Sequence, residues 1–167
     1  MDLDTALTGK SAEPAAATRM LRDDHAEMRH LIDDYRKAEG RSAHARHALL
    51  EALAMQAELH TRVEDDVFYP AVERLCMRYV HEARDAHAAI AAKVDALEAL
   101  DADDARHGEI AAGLIDALER HMDEEERLLF PRVEAEMAGE LTELGRRIIE
   151  RKEALTRSVE DMEGPAT

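Results

Sequence analysis

The chain has 167 residues, enough for one domain of ordinary size, and its formal net charge of −16 argues against a surface for nucleic acids or anionic membranes. Hydrophobic residues make up 46% of the chain, so it can bury a core. A single cysteine, Cys76, excludes an internal disulfide and a zinc–thiolate cluster and fits a reducing compartment. The sequence shows neither a signal peptide nor a membrane span, which predicts a cytoplasmic protein.

Ala, Leu, Glu and Arg dominate the chain and predict an all-α protein. Residues 1–17 are expected to form a flexible tail. Five helices are predicted, at residues 18–39, 42–74, 77–100, 105–137 and 140–162. Each of the first four has one apolar face and a short link to the next, which favours an antiparallel up-down four-helix bundle over residues 18–137. The fifth helix, within residues 138–167, is expected to pack on this bundle or on a second subunit.

The second and fourth helices contain the same sequence pattern, HTRVEDDVFYPAVE at residues 60–73 and HMDEEERLLFPRVE at residues 121–134. Both read His, three residues, Glu, four residues, an aromatic residue, Pro, one residue and Val-Glu, at an offset of 61 residues. His25 and His87, on the apolar faces of the first and third helices, are offset by 62. The chain therefore resembles two similar helical hairpins related by an approximate two-fold axis.

Histidine and glutamate four residues apart lie above one another on one helix face, and here that face points inward. Burying two carboxylates is costly unless cations compensate their charge. Four imidazoles and two carboxylates suit two first-row metal ions. The sequence therefore predicts a dinuclear site in the bundle core, formed by His25, His60, Glu64, His87, His121 and Glu125. The alternative is a metal-free bundle with two buried His–Glu pairs.

In the predicted site, His25 and His60 bind one metal ion and His87 and His121 the other, while Glu64 and Glu125 each bridge the two. Iron is the expected metal, with manganese or zinc as alternatives, and an oxo or hydroxo group is expected as a further bridge. Each ion keeps an open position for O2, NO or peroxide. No general acid or nucleophile stands out, so no catalytic residue is assigned.

The doubled His-x-x-x-Glu pattern with its trailing aromatic-Pro resembles the hemerythrin-like, His-His-Glu cation-binding family over roughly residues 18–137. The resemblance implies an up-down four-helix bundle with a non-haem di-iron centre. Members include oxygen carriers, oxygen or iron sensors, and stress-response proteins. This chain differs from the carriers, which have a second histidine where Ala91 stands. Their fourth-helix carboxylate is an aspartate five residues after the histidine, whereas Glu125 follows His121 by four. It is similar to bacterial members with four His and two Glu.

Three functions remain open at this stage. The one adopted is a di-iron protein that binds or senses O2, NO or peroxide, as a monomer or homodimer. The second is a di-iron stress-response enzyme or iron donor, acting in peroxide detoxification or iron–sulfur cluster repair. The third is an interaction module in which the metal only stabilises the bundle.

Several polar residues outside the six are predicted to have no part in the site. Five histidines are interpreted as surface or capping residues: His30, His44, His47, His81 and His107. Tyr35 and Tyr69 are expected to pack in the core or on the surface, the alternative being that they reach toward the centre as hydrogen-bond donors or ligands. Pro70 and Pro131 each remove a helix hydrogen bond, which either shapes the end of the bundle or orients the nearby His-x-x-x-Glu turn.

Overall fold

The computed structural model describes residues 16–163, with side chains as far as residue 158. The elements are α1 (Ala17–Lys37), α2 (Ala43–Val63), a first π-helical segment (Glu64–Phe68), α3 (Tyr69–Glu98), α4 (His107–Glu124), a second π-helical segment (Glu125–Leu129), α5 (Phe130–Glu136) and α6 (Leu141–Glu163). The described residues contain no strand, which confirms the predicted all-α class. The predicted N-terminal tail lies outside the described residues, apart from residues 16 and 17.

The second helix of the bundle is a continuous rod formed by α2, the first π-helical segment and the start of α3. It ends at Cys76, whose φ of −128° and ψ of 32° leave the helical region. The rest of α3 returns antiparallel to the rod, so that Arg84 donates to Glu73 at 2.7 Å. Met137, 61 residues after Cys76, ends α5 with nearly the same angles, φ −126° and ψ 29°. The repeat in the sequence is therefore also a repeat of the backbone.

The bundle pairs α1 with α2 and α3 with α4, around two apolar clusters. One cluster lies at the π-helical end and includes Phe68 and Phe130, and the other lies toward the opposite end. Within α1, Leu21 belongs to the first cluster, Met28 to the second, and His25 lies between them. A polar layer therefore crosses the middle of an otherwise apolar core.

The fifth helix, α6, packs on α1, α2 and the first π-helical segment of its own chain. Leu144 and Ile148 are buried there in the first apolar cluster. Val159, which was expected to continue this apolar face, lies outside the residues with described side chains. None of the described helices has the length and apolar character needed to cross a bilayer.

Candidate metal centre

All four helices of the bundle contribute to one polar cluster in the core. Its members are 0% to 6% exposed, and they are the six predicted ligands: His25 from α1, His60 from α2, Glu64 from the first π-helical segment, His87 from α3, His121 from α4 and Glu125 from the second π-helical segment. The structure thus brings together every residue that the repeat indicated.

The four histidines form two close pairs that point their Nε2 atoms toward the middle of the cluster. The Nε2 atoms of His25 and His60 are 3.1 Å apart, and those of His87 and His121 are 3.2 Å apart. These are the pairs that the sequence assigned to one ion each. A distance near 3 Å between two imidazole nitrogens suits two ligands of the same metal ion, since each Zn–N or similar bond is about 2.0–2.1 Å long.

Both carboxylates lie between the two histidine pairs. Glu64 Oε2 is 3.2 Å from Nε2 of His60 and 3.2 Å from Nε2 of His87. Glu125 Oε2 is 3.4 Å from Nε2 of His25 and 3.5 Å from Nε2 of His121. One oxygen of each carboxylate, Oε1 of Glu64 and Oε2 of Glu125, is buried and has no hydrogen-bond donor among residues 16–163. Such orphaned oxygens are rare in folded proteins and fit a cation as their partner.

Three of the four histidines are held from outside the cluster by a carboxylate at their Nδ1 atom: His25 by Glu126 at 2.8 Å, His60 by Asp24 at 3.3 Å and His87 by Asp65 at 3.1 Å. A carboxylate at Nδ1 fixes the tautomer that leaves the Nε2 lone pair free, and it strengthens the imidazole as a ligand. In the described part of the chain His121 has no carboxylate at Nδ1. The two histidine pairs are therefore held unequally.

Tyr69 also reaches into the cluster, so the less favoured alternative, a hydrogen-bond donor at the centre, is the correct one. Its hydroxyl donates to Glu125 Oε1 at 2.7 Å and lies 3.2 Å from Glu64 Oε2 and 3.1 Å from Nε2 of His87. The residue at the same place in the other hairpin is Phe130, whose ring stacks on His25 at 5.6 Å. The cluster thus has a hydroxyl on one side and an apolar ring on the other.

The π-helical segments explain why helical periodicity missed Tyr69. In an α-helix, a residue five positions after Glu64 is turned about 140° away from it. The backbone N–H of Tyr69 instead bonds to the carbonyl of Glu64, an i→i+5 bond that places the two residues one above the other. Pro70, which has no N–H to offer the preceding turn, follows at once. The aromatic-Pro pair after each Glu was the available signal.

The charges of the cluster are strongly coupled. Burial alone would lower the pKa of His60, but Glu64 and Asp24 raise it to about 10. Burial would also lower the pKa of His87, but Asp65 and Glu64 raise it to about 9. Burial and the neighbouring Glu64 raise the pKa of Glu125 to about 7. Without metal, protons therefore balance the buried carboxylates, and a bound cation would displace them.

The histidines outside the cluster are divided by the structure. His30, His44 and His81 are exposed, as predicted. His107 is only 7% exposed, and its Nε2 lies 3.0 Å from Nδ1 of the half-buried His47. The prediction that His107 is a surface or capping residue is therefore wrong, because its ring is paired with that of His47, at the start of α2.

A buried layer of histidines and glutamates within an antiparallel four-helix bundle defines a metal-binding protein of the bundle-core class. The family model described as the hemerythrin HHE cation binding domain matches residues 16–133. The chain belongs to this family, which confirms the resemblance found in the sequence, and membership implies the binding of metal cations, typically iron.

One solved structure shows the same fold over nearly the whole chain. The crystal structure of a hemerythrin HHE cation binding domain-containing protein from Mycobacterium kansasii aligns with a TM-score of 0.74 at 26% sequence identity. The match covers 92% of this chain and 95% of the other, so the similarity extends beyond the residues that the family model matches. No curated protein sequence matches the chain.

Proposed function

We propose that this chain is a non-haem di-iron protein that binds or senses O2, NO or peroxide. The observation that carries the proposal is the pair of orphaned carboxylate oxygens, on Glu64 and Glu125, between two histidine pairs. Imidazole and carboxylate donors suit iron. Two imidazoles and two bridging carboxylates would give each ion four protein ligands, which leaves an iron ion positions for a further bridge and a small molecule. Manganese is the alternative metal.

The residues of the chain position the ions and control what reaches them. His25, His60, Glu64, His87, His121 and Glu125 would hold the two ions. Bound iron supplies a redox-active Lewis acid to which a small molecule can bind. Asp24, Asp65 and Glu126 orient three of the histidines. Phe68 and Phe130, both fully buried, help to exclude bulk water from the cluster.

Tyr69 adds a hydrogen-bond donor at the centre. Burial and the charges of Glu125 and Glu64 hold the pKa of its hydroxyl well above the ordinary value, so the hydroxyl keeps its proton. It donates a hydrogen bond to Glu125 in the structure. This observation favours a second candidate, a di-iron enzyme that reduces peroxide, because a hydroxyl close to the metal can donate a hydrogen bond to the developing negative charge on a peroxide oxygen.

Elemental analysis tests the proposal, with protein purified without chelators and reconstituted with Fe(II) under argon. We expect about two irons per chain, and an absorption spectrum that changes when the reduced protein meets air, NO or peroxide. His60→Ala removes one candidate ligand and is expected to lower the iron content. His44→Ala, at an exposed position of the same helix, is the matched control and is expected to keep it.

The response to gas and to peroxide distinguishes the two candidate functions. A spectrum that reverts when the gas is removed supports binding or sensing, whereas repeated turnover of peroxide supports the enzyme. If the protein takes up no iron, or if His60→Ala and Glu125→Ala keep full loading, the proposal fails. A cytoplasmic monomer or homodimer is the setting that we propose for either activity.

A further inference from the structure

The two sides of the polar cluster have different surroundings, although the repeat relates them. On the side of α1 and α2, the helix α6 packs over the groove between them and over the first π-helical segment. Leu21 and Val63 are fully buried there, and Val67 is 7% exposed. On the side of α3 and α4, no helix of the described chain occupies the equivalent position.

A small cavity opens on the side of α3 and α4 and reaches the cluster. Its volume is about 20 Å³, which is room for one water-sized molecule. His121 and Glu125 line its inner end, Ala83 and Leu128 line its walls, and the exposed Glu82 and Glu124 line its mouth. It is therefore a passage from solvent to two of the candidate ligands.

The residues that line this passage differ systematically from those at the same places in the other hairpin. Ala83 stands where α1 has Leu21, and Leu128 where the first π-helical segment has Val67. Glu124 stands where α2 has the fully buried Val63. The covered side is thus filled with apolar side chains, whereas the open side has a narrow passage with acidic residues at its mouth.

We propose that cations and small neutral molecules reach the metal centre between α3 and α4, past Ala83 and Leu128, and that α6 closes the equivalent path between α1 and α2. The proposal rests on the metal centre proposed above. The narrow walls admit only molecules of a few atoms. The carboxylates of Glu82 and Glu124 attract cations and repel small anions at the mouth.

The test follows the uptake of Co(II) by the metal-free protein in a stopped-flow spectrophotometer, which requires no activity of the loaded protein. Ala83→Leu replaces a methyl by an isobutyl group in the wall, and we expect uptake to slow about tenfold, the effect of about 1.4 kcal/mol on the barrier. Leu128→Ala widens the passage and is expected to accelerate uptake. Both variants should reach the cobalt content of the wild type at equilibrium.

Two matched controls accompany these variants. Val67→Ala truncates the residue equivalent to Leu128 on the side that α6 covers, and we expect it to leave the rate of uptake unchanged. Ala88→Leu makes the same substitution as Ala83→Leu at an exposed position of α3 and is also expected to be neutral. If Ala83→Leu does not fold, Leu128→Ala alone still decides between the two sides.

Metal content and the rate of metal uptake distinguish a wrong metal centre from a wrong access path. If the wild type binds no cobalt and no iron, the metal centre itself is refuted, and the access path with it. If the wild type binds metal but Ala83→Leu and Leu128→Ala leave the rate unchanged, only the path is refuted. Equal acceleration by Val67→Ala and Leu128→Ala also refutes it, because access would then not distinguish the two sides.

Discussion

The carboxylate behind His60 provides a quantitative test of how this centre is built. Asp24 accepts from Nδ1 of His60 at 3.3 Å and forms an ion pair with Lys152 of α6. The repeat places Ala86 at the same position relative to His121, which has no such support in the described chain. Asp24→Ala therefore converts the first hairpin to the state that the second hairpin already has.

The expected magnitude follows from the geometry of this contact. Loss of a residue that orients a metal ligand typically costs 10- to 100-fold in metal affinity, at about 1.4 kcal/mol per tenfold. The distance of 3.3 Å is slightly beyond the usual range for N–H···O bonds. The ion pair with Lys152 also compensates part of the negative charge of Asp24. We therefore expect Asp24→Ala to weaken metal binding about tenfold, at the lower end of that range.

The assay is competition with a calibrated chelator for Co(II), under argon. Asp23→Ala, at the exposed neighbouring position, is the matched control and should bind as the wild type does. Lys152→Ala removes the ion pair to α6 but keeps Asp24, so it separates loss of α6 docking from loss of the Nδ1 partner. Ala86→Asp, at a half-buried position, should tighten binding at His121.

Equal cobalt affinities of Asp24→Ala and Asp23→Ala would contradict a role for Asp24 in supporting His60. It is also refuted if Lys152→Ala weakens binding as much as Asp24→Ala does, since the effect would then come from α6 rather than from the imidazole. Far-ultraviolet circular dichroism establishes that each variant is folded before its affinity is compared.

Three further predictions concern stability. Tyr69→Phe is expected to destabilise the metal-free protein by about 1–3 kcal/mol in denaturant unfolding, because the Oε1 atom of Glu125 loses its donor; unchanged stability would show that this hydrogen bond contributes nothing. The raised pKa values of His60 and His87 stabilise the folded metal-free protein below pH 6.5, and this contribution is lost as the pH rises through about 9 and 10; thermal melts of the metal-free and metal-loaded protein across that window should diverge. Ile148→Ala, at a fully buried position of α6, should cost about 2–5 kcal/mol, and a smaller loss would mean that α6 packs loosely.

The sequence predicted the fold and the residues of the cluster because both depend on the same periodic face of each helix, which contains the apolar core residues and the histidines and glutamates. His60 and Glu64 are four residues apart on an inward face, and the repeat at His121 and Glu125 shows that the spacing is not accidental. The end of the second helix was also predicted well, since the helical angles break at Cys76, between the two predicted helices.

The favoured predictions for Tyr69 and His107 were wrong for different physical reasons. Tyr69 is brought onto the face of Glu64 by an i→i+5 backbone bond, which an analysis based on 3.6 residues per turn does not include. His107 is buried by His47, a residue 60 positions away in sequence. Helical periodicity describes single helices, and this contact depends on how two helices meet.

The repeat predicts symmetry, and the function of the centre depends on where that symmetry is broken. Tyr69 stands where the other hairpin has Phe130, Asp24 supports His60 where the other hairpin has Ala86, and α6 covers the side of α1 and α2. The hydroxyl of Tyr69 makes the cluster more polar next to His87, Ala86 leaves the Nδ1 side of His121 apolar, and the position of α6 leaves the side of α3 and α4 more open. A small molecule that arrives there meets His121, the histidine that has no carboxylate at Nδ1 among the described residues, and the hydroxyl of Tyr69 lies 3.1 Å from Nε2 of the neighbouring His87. Two metal ions with duplicated ligands would therefore differ in reactivity, and the ion held by His87 and His121 is the one at which we expect exchange and chemistry to begin.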